Sequence, residues 1–336
     1  MMKKSYFFLF LVICLILTSC SNQDKDEFEK FPSMDFNAIE SFENNDKTEK
    51  FIESRSSELF SKWDPQNSES EIALFNNSRN NSHLSEETIQ LLLNSISLSE
   101  KTNGLLDITL YPLTRLWGFE SDEPKKPQDV LVSLMISKCG MDTISVADNL
   151  FTMDQFTILN PSAITKGYAA DLIAKELEDD GCSRALIKFE DHVRTLGTKE
   201  DEKKWNVALT DPFQPEQAFS YVSVNGGVSV STKGTFRNFF EEEGKRYCDI
   251  FDPRNGNPVD NDLVSVTVIS ESGVTADAFA TACLIMGSKD AAEFYKNNDG
   301  FEIIMVSVDG QIQASKGIVD SIIFSDSNLE VKVIEK

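Results

Sequence analysis

Histidine is almost missing from this sequence, with 2 among 336 residues, and the 6 cysteines include no C-x-x-C pair. A zinc centre needs clustered thiolates and imidazoles, so the sequence does not point to one. Positive charge is also in short supply: 32 Lys and Arg face 55 Asp and Glu, for a formal net charge of −23. Such a chain repels nucleic acid and anionic lipid, and a phosphate-bearing ligand would need local cations or a metal. Long apolar runs are lacking too. The run from Tyr6 to Leu17 falls short of the about 20 residues that span a bilayer. No internal repeat is visible, which excludes solenoids and propellers.

What is present begins with an export signal. Lys3 and Lys4 precede the apolar run, and Thr18-Ser19-Cys20 supplies small residues before a cleavage point. Leu17-Thr18-Ser19-Cys20 resembles the bacterial lipobox. That resemblance implies loss of residues 1–19, lipid on Cys20, and a protein anchored in the bacterial cell envelope, facing the periplasm or the exterior. Residues 20–50 read as an acidic tether, with one early strand expected around Phe31 to Ile39. Residues 51–336 are long enough for one large domain, and a hydrophobic fraction of 40% suffices for a core. Cys139, Cys182, Cys248 and Cys283 remain after the signal and Cys20; export permits a disulfide, but the pairing stays open.

The body mixes helices and strands without a regular βαβ alternation, which predicts an α+β domain. Helices are expected over Lys50 to Trp63, from a cap at Ser85 to Lys101, near Gln128 to Lys138, Lys166 to Asp179, Ala276 to Met286 and Asp290 to Asn297. Leu105 to Trp117 reads as loop and strand. Strands are expected at 185–189, 205–209, 221–224, 228–231, 264–270, 302–308 and 318–324, and a hairpin around Ser145 and Phe156.

The most informative stretch is Thr275-Ala276-Asp277-Ala278-Phe279-Ala280-Thr281-Ala282. Asp277 and Thr281 stand one helical turn apart, so a carboxylate and a hydroxyl leave the same face near a helix start. Two hard oxygens so placed suit Mg²⁺, which completes its shell with water and substrate phosphate. The same pair also serves as a cap beside a core hydroxyl.

Seven segments, in order, resemble the ApbE-type FAD:protein FMN transferases. They are Trp63-Asp64-Pro65 with Ser70-Glu71-Ile72 and Phe75-Asn76; Gly104-Leu105-Leu106-Asp107; Leu116-Trp117-Gly118-Phe119; Ser162 to Asp171; Gly244-Lys245-Arg246-Tyr247; Asp252 to Val259; and Ala276-Asp277 with Thr281. The resemblance implies a single large T-fold-like domain with FAD in a cleft. It implies Mg²⁺-dependent splitting of the FAD diphosphate, transfer of FMN to a Thr or Ser hydroxyl of an exported redox protein, and release of AMP. Some relatives instead hydrolyse FAD to FMN and AMP, and a relative acting only by protein contact is a third outcome. By the same resemblance, the metal ligands are Asp277, Thr281 and the Ala163 carbonyl. Met34, Trp63, Leu105, Leu106, Asp107, Asn160, Lys166, Ile250 and Phe251 line the FAD site, Trp63 offering a flat ring for stacking and Gly167 a close backbone approach.

The chain departs from the family pattern at several points. Asn160 stands where Asp is usual, and Lys188-Phe189-Glu190-Asp191-His192 replaces an Asn-x-Gly-Gly-Asp strand ending. Lys233 replaces a small residue, either compensating for lost contacts or blocking the cleft. Asp249 replaces a His, which makes it the candidate base, although a carboxylate near pKa 3.9 accepts protons weakly.

Overall fold

The computed structural model describes residues 46–336 apart from 80, 82–83, 149, 200–202 and 325–328. Met34, Cys20, the leader and the expected strand at 31–39 lie outside the described residues.

Three helices open the described chain: α1 (Asp46–Trp63), α2 (Glu71–Ser78) and α3 (Glu86–Lys101). Ser70 caps α2 by accepting the Ala73 N–H, and Ser85 caps α3 by accepting that of Thr88. The helical period over 71–78, with Ile72 and Phe75 buried, is thus started by its own cap. Asn103 and Gly104, both at positive φ, end the run after α3. Next come α4 (Tyr111–Trp117) and α5 (Asp129–Ile136). The α4 segment corrects the expected loop and strand. Pro112 sits in its first turn, where a missing N–H costs nothing, and Leu113 and Trp117, one turn apart, bury the same face. A hairpin, β1 (Ile144–Ala147) with β2 (Leu150–Met153), precedes α6 (Ser162–Asp179). Its second strand lies earlier than Phe156.

The rest of the chain builds two sheets, a second hairpin and three more helices. The strands are β3 (Ala185–Phe189), β4 (His192–Leu196), β5 (Trp205–Thr210), β6 (Ala218–Val224), β7 (Ser229–Gly234), β8 (Phe239–Glu242), β9 (Lys245–Cys248) and β10 (Leu263–Ser270). After them come α7 (Gly273–Met286), α8 (Ser288–Asn297), β11 (Phe301–Ser307), β12 (Ile312–Ser315), α9 (Lys316–Val319), β13 (Ile322–Phe324) and β14 (Val331–Ile334). The larger sheet runs β14-β12-β11-β10-β7-β4-β3, and the smaller runs β13-β6-β5. β12 and β14 pair in parallel; the other pairs in both sheets are antiparallel.

Strand alternation sets the layers. On β11, Ile303 and Met305 pack with α6 and α7, while Ile304 and Val306 pack with Trp205, Val207 and Val222 of the smaller sheet. Helices thus cover one face of the large sheet and a second sheet covers the other, an α+β arrangement with β10 buried along its whole length.

Two helices cross at the centre with their backbones almost touching. A Cβ on Gly167 of α6 would lie 2.1 Å from the Gly273 carbonyl of α7, and one on Gly273 would lie 2.5 Å from that of Gly167. Gly167 therefore admits another helix, not a ligand. Asp171, one turn along α6, accepts the Gly273 N–H at 2.8 and 2.9 Å and that of Val274 at 3.2 Å. A carboxylate on those first N–H groups fixes where α7 begins and so where Asp277 points.

Candidate functional site

Asp277 is fully buried beneath the α6–α7 crossing, in the second turn of α7. β7 runs beside it, and the two-residue period of a strand puts Ser229, Ser231 and Lys233 on one face. Ser231 Oγ donates to Asp277 Oδ1 at 2.6 Å, and Lys233 Nζ lies 3.3 Å from the same oxygen. His192 Nδ1 is 3.0 Å from Oδ1 as well, and the Gly167 N–H donates to Oδ2 at 2.7 Å. In a regular helix that N–H would serve the carbonyl of Ala163. Because Asp277 is ionised, Nδ1 of His192 must carry the proton, and Nε2 stands 3.0 Å from Ser229 Oγ.

Acid, imidazole and hydroxyl thus line up as in a hydrolase triad. All three are at 0% exposure, however, so no substrate atom can reach the hydroxyl. The arrangement holds Asp277; it does not supply a nucleophile.

A second carboxylate completes the cluster. The tight turn from β3 to β4 puts Glu190 at φ 33° and swings Asp191 inward. Asp191 Oδ2 takes Lys233 Nζ at 2.7 Å and Oδ1 takes Lys166 Nζ at 2.8 Å; Lys166 also pairs with Glu190. Burial pushes the Asp191 carboxyl up, but the two ammonium groups more than reverse this and hold it well below the usual range. Burial likewise opposes ionisation of Asp277, and Lys233 and His192 outweigh it. Lys233 is raised: burial disfavours its charge, and Asp191 and Asp277 override the penalty.

Asp249 lies beside this cluster, half-buried, accepting the Asn238 amide at 2.9 Å. Burial raises its pKa, the Asn238 hydrogen bond lowers it in part, and the charge of Glu190 adds to the rise while that of Lys233 opposes it. The shift moves Asp249 toward the range where a carboxylate is a more effective base.

The other expected site residues fall in three places. Trp63 is in the core at 2% exposure, its Nε1 donating to Thr88 Oγ1 at 3.1 Å and its ring 5.5 Å from Tyr168; both faces are covered, so no flavin stacks on it in this arrangement. Leu105 and Leu106 are buried in the same core. Asp107 and Asn160 are each held by local hydrogen bonds. Asp107 accepts both the N–H and the hydroxyl of Thr109, and burial raises its pKa. Asn160 is tied to Ile108 by its N–H at 2.7 Å, and its side chain accepts the Ser162 N–H at the start of α6. Asn76 clamps the preceding Leu159 through both amide ends. Phe251 packs on Trp117 and Phe119, next to half-buried Ile250. Asp252 and Arg254 form the structural pair that holds the turn at Gly256. Cys139, Cys182, Cys248 and Cys283 are free thiols. Asp191, His192 and Ser231 carry no motif of their own; their one sequence signal is the charged turn Glu190-Asp191-His192, where glycines are usual.

The ApbE family profile matches residues 34–305. The chain belongs to the ApbE family. The FAD:protein FMN transferase of Escherichia coli K12 is 31% identical over 253 residues, covering 72% of this chain and 71% of that protein. That of Vibrio cholerae is 29% identical over 246 residues, covering 72% and 74%. Among solved structures, the Thermotoga maritima ApbE protein superposes with a TM-score of 0.77 at 25% identity, covering 84% of this chain and 93% of that one. The Vibrio cholerae flavin transferase ApbE gives 0.70 at 27%, covering 81% and 89%.

The Mg²⁺ that family resemblance implies can be tested on Asp277 itself. An ionised carboxylate offers about four lone-pair sites. Gly167, His192, Ser231 and Lys233 supply one donor each. Thr281 Oγ1 donates within its own helix to the Asp277 carbonyl at 3.0 Å. With three donors crowded on Oδ1, Asp277 as arranged does not fit a divalent ion there.

Proposed function

We propose that this ApbE-family protein transfers FMN from FAD to a Thr or Ser hydroxyl of an exported redox protein and releases AMP. The relatives named above support the reaction class. The observation in the molecule that supports it best is the convergence of Lys166 and Asp277 around Lys233 and Asp191, with Asp249 near enough to feel the charges of Glu190 and Lys233, at a start of α6 built by Asn76 and Asn160.

In the reaction, the acceptor hydroxyl oxygen attacks the FMN phosphorus. The P–O bond to the bridging oxygen breaks, AMP leaves with that oxygen, and the hydroxyl proton passes to a base. Asp249 is the base in this reading, and burial makes it a better one than an exposed carboxylate. Lys166, at the first turns of α6, meets the diphosphate charge together with the helix N–H groups. The lipid anchor at Cys20, the removed leader and a location in the cell envelope complete the proposal; no step is assigned to Mg²⁺.

The test mixes the purified protein with FAD and a protein that the Escherichia coli relative flavinylates. In-gel flavin fluorescence on the acceptor is expected, with none from Asp277→Ala. A colourless acceptor beside the unaltered enzyme, with AMP still released, would instead assign FAD hydrolysis.

A further inference from the structure

The misfit between Asp277 and a divalent ion has a specific author in this chain, Lys233. Its place on β7 between buried Ser231 and Gly234 aims the side chain at Asp277, and the side chain is only 10% exposed. Asp191 fixes it from the other side, and Lys166 in turn fixes Asp191. The turn that brings Asp191 inward is held at Glu190 in a backbone region rare for residues other than glycine. Two of the three ammonium N–H donors are committed to carboxylates, which leaves one for a ligand oxygen.

We propose that the Lys233 ammonium is the resident cation of this site: it takes the electrostatic place of the divalent ion, so that the protein binds the FAD diphosphate without metal. The identity of the diphosphate rests on the flavin-transferase reading; the exclusion of the ion does not. Three features carry the argument. Oδ1 of Asp277 already faces three protein donors, His192, Ser231 and Lys233, and Oδ2 takes the Gly167 N–H. An ion bound to Asp277 Oδ1 at about 2.1 Å would share that oxygen with an ammonium 3.3 Å away. Two positive charges so close, in a site buried from solvent, repel strongly. Finally, Asp191 pairs with Lys233 at 2.7 Å and is itself held by Lys166, so the cation comes with its own counter-ion.

The test titrates the metal-free full-length protein with Mn²⁺, followed by the EPR signal of the free ion, and separately with FAD in EDTA, followed by flavin fluorescence. The unaltered protein is expected to take up no Mn²⁺ that depends on Asp277, and its FAD affinity should stay within about twofold when EDTA is replaced by Mn²⁺. Lys233→Ser, once its circular dichroism matches the parent, should gain an Asp277-dependent Mn²⁺ site. It should also lose about tenfold or more in FAD affinity in EDTA, recovered with Mn²⁺. Mn²⁺ uptake by the unaltered protein that disappears in Asp277→Asn would overturn the proposal, whether or not the Lys233 variant folds. So would a folded Lys233→Ser that gains no ion. Failure to bind FAD under any condition would overturn the diphosphate assignment and the flavin-transferase reading, while the Mn²⁺ titration would still decide the exclusion.

Discussion

Two ion-pair networks in this molecule use the same chemistry in opposite surroundings. On the helical side, Arg55 bridges Glu58, Glu87 and Glu176, and Lys62 joins Glu58 and Glu87. Glu58 there is about half exposed. At the helix crossing, Lys166 and Lys233 bridge Asp191, and Lys233 reaches Asp277 at 0% exposure. Water reaches the first network at Glu58, so the pairs that Glu58 makes there add little. The second has no such screen, so its members depend on one another, and removing one leaves a charge stranded. Burial, rather than the count of pairs, separates a surface ornament from a site.

The largest blow to that contrast falls on its dry side. Asp277→Ala should destabilise the fold by about 3–5 kcal/mol, read from urea unfolding, because His192, Ser231 and Lys233 lose their shared acceptor. It should abolish FMN transfer as well. Next, Lys233→Met should cost about 3 kcal/mol by leaving Asp191 with only Lys166. Adding Asp191→Leu should return most of that, since removing a buried pair whole is far milder than halving it. A simple sum of the two single effects would show that the pair is uncoupled.

A smaller effect concerns acid. Asp191 and Asp277 are depressed, Asp277 to about 2. Their stabilisation is therefore fully present above the unfolded carboxylate pKa of about 3.9 and is lost as pH falls through the folded values. Asp249 is raised and has the opposite sign, so its neutral form is favoured by folding. Between about pH 4 and pH 2, unfolding free energy should fall less steeply in Asp191→Asn than in the parent. The smallest effect belongs to the wet network. Glu58→Ala should cost about 0.5 kcal/mol or less and nothing at about 1 M salt. A salt-insensitive loss above about 2 kcal/mol would erase the contrast between the two regions.

How much could be read beforehand follows the same division between local and distant causes. α3 and α7 were legible because Ser85, Gly104 and the Ala276–Ala282 run carry their own start, stop and helical content. The positions of Asp277 and Lys166 followed from motif and period. What was not legible depends on partners far along the chain. The Gly167–Gly273 contact spans two helices with no shared motif. Lys233 meets Asp191 across 42 residues, and only strand register puts them together. β4 was missed because Glu190-Asp191-His192 hides the turn between two strands. α4 was missed because Pro112 reads as a breaker until the helix is seen to begin there. Trp63 was read as a stacking surface, but its indole N–H had a closer claim on Thr88.

The most direct test of the account is the transfer reaction itself, run with FAD and acceptor protein in EDTA. The account predicts a fluorescent, FMN-bearing acceptor band from the unaltered protein and none from Asp277→Ala. A band that appears only when a divalent ion is restored would contradict the role given to Lys233, and no band with or without the ion would contradict the transferase reading.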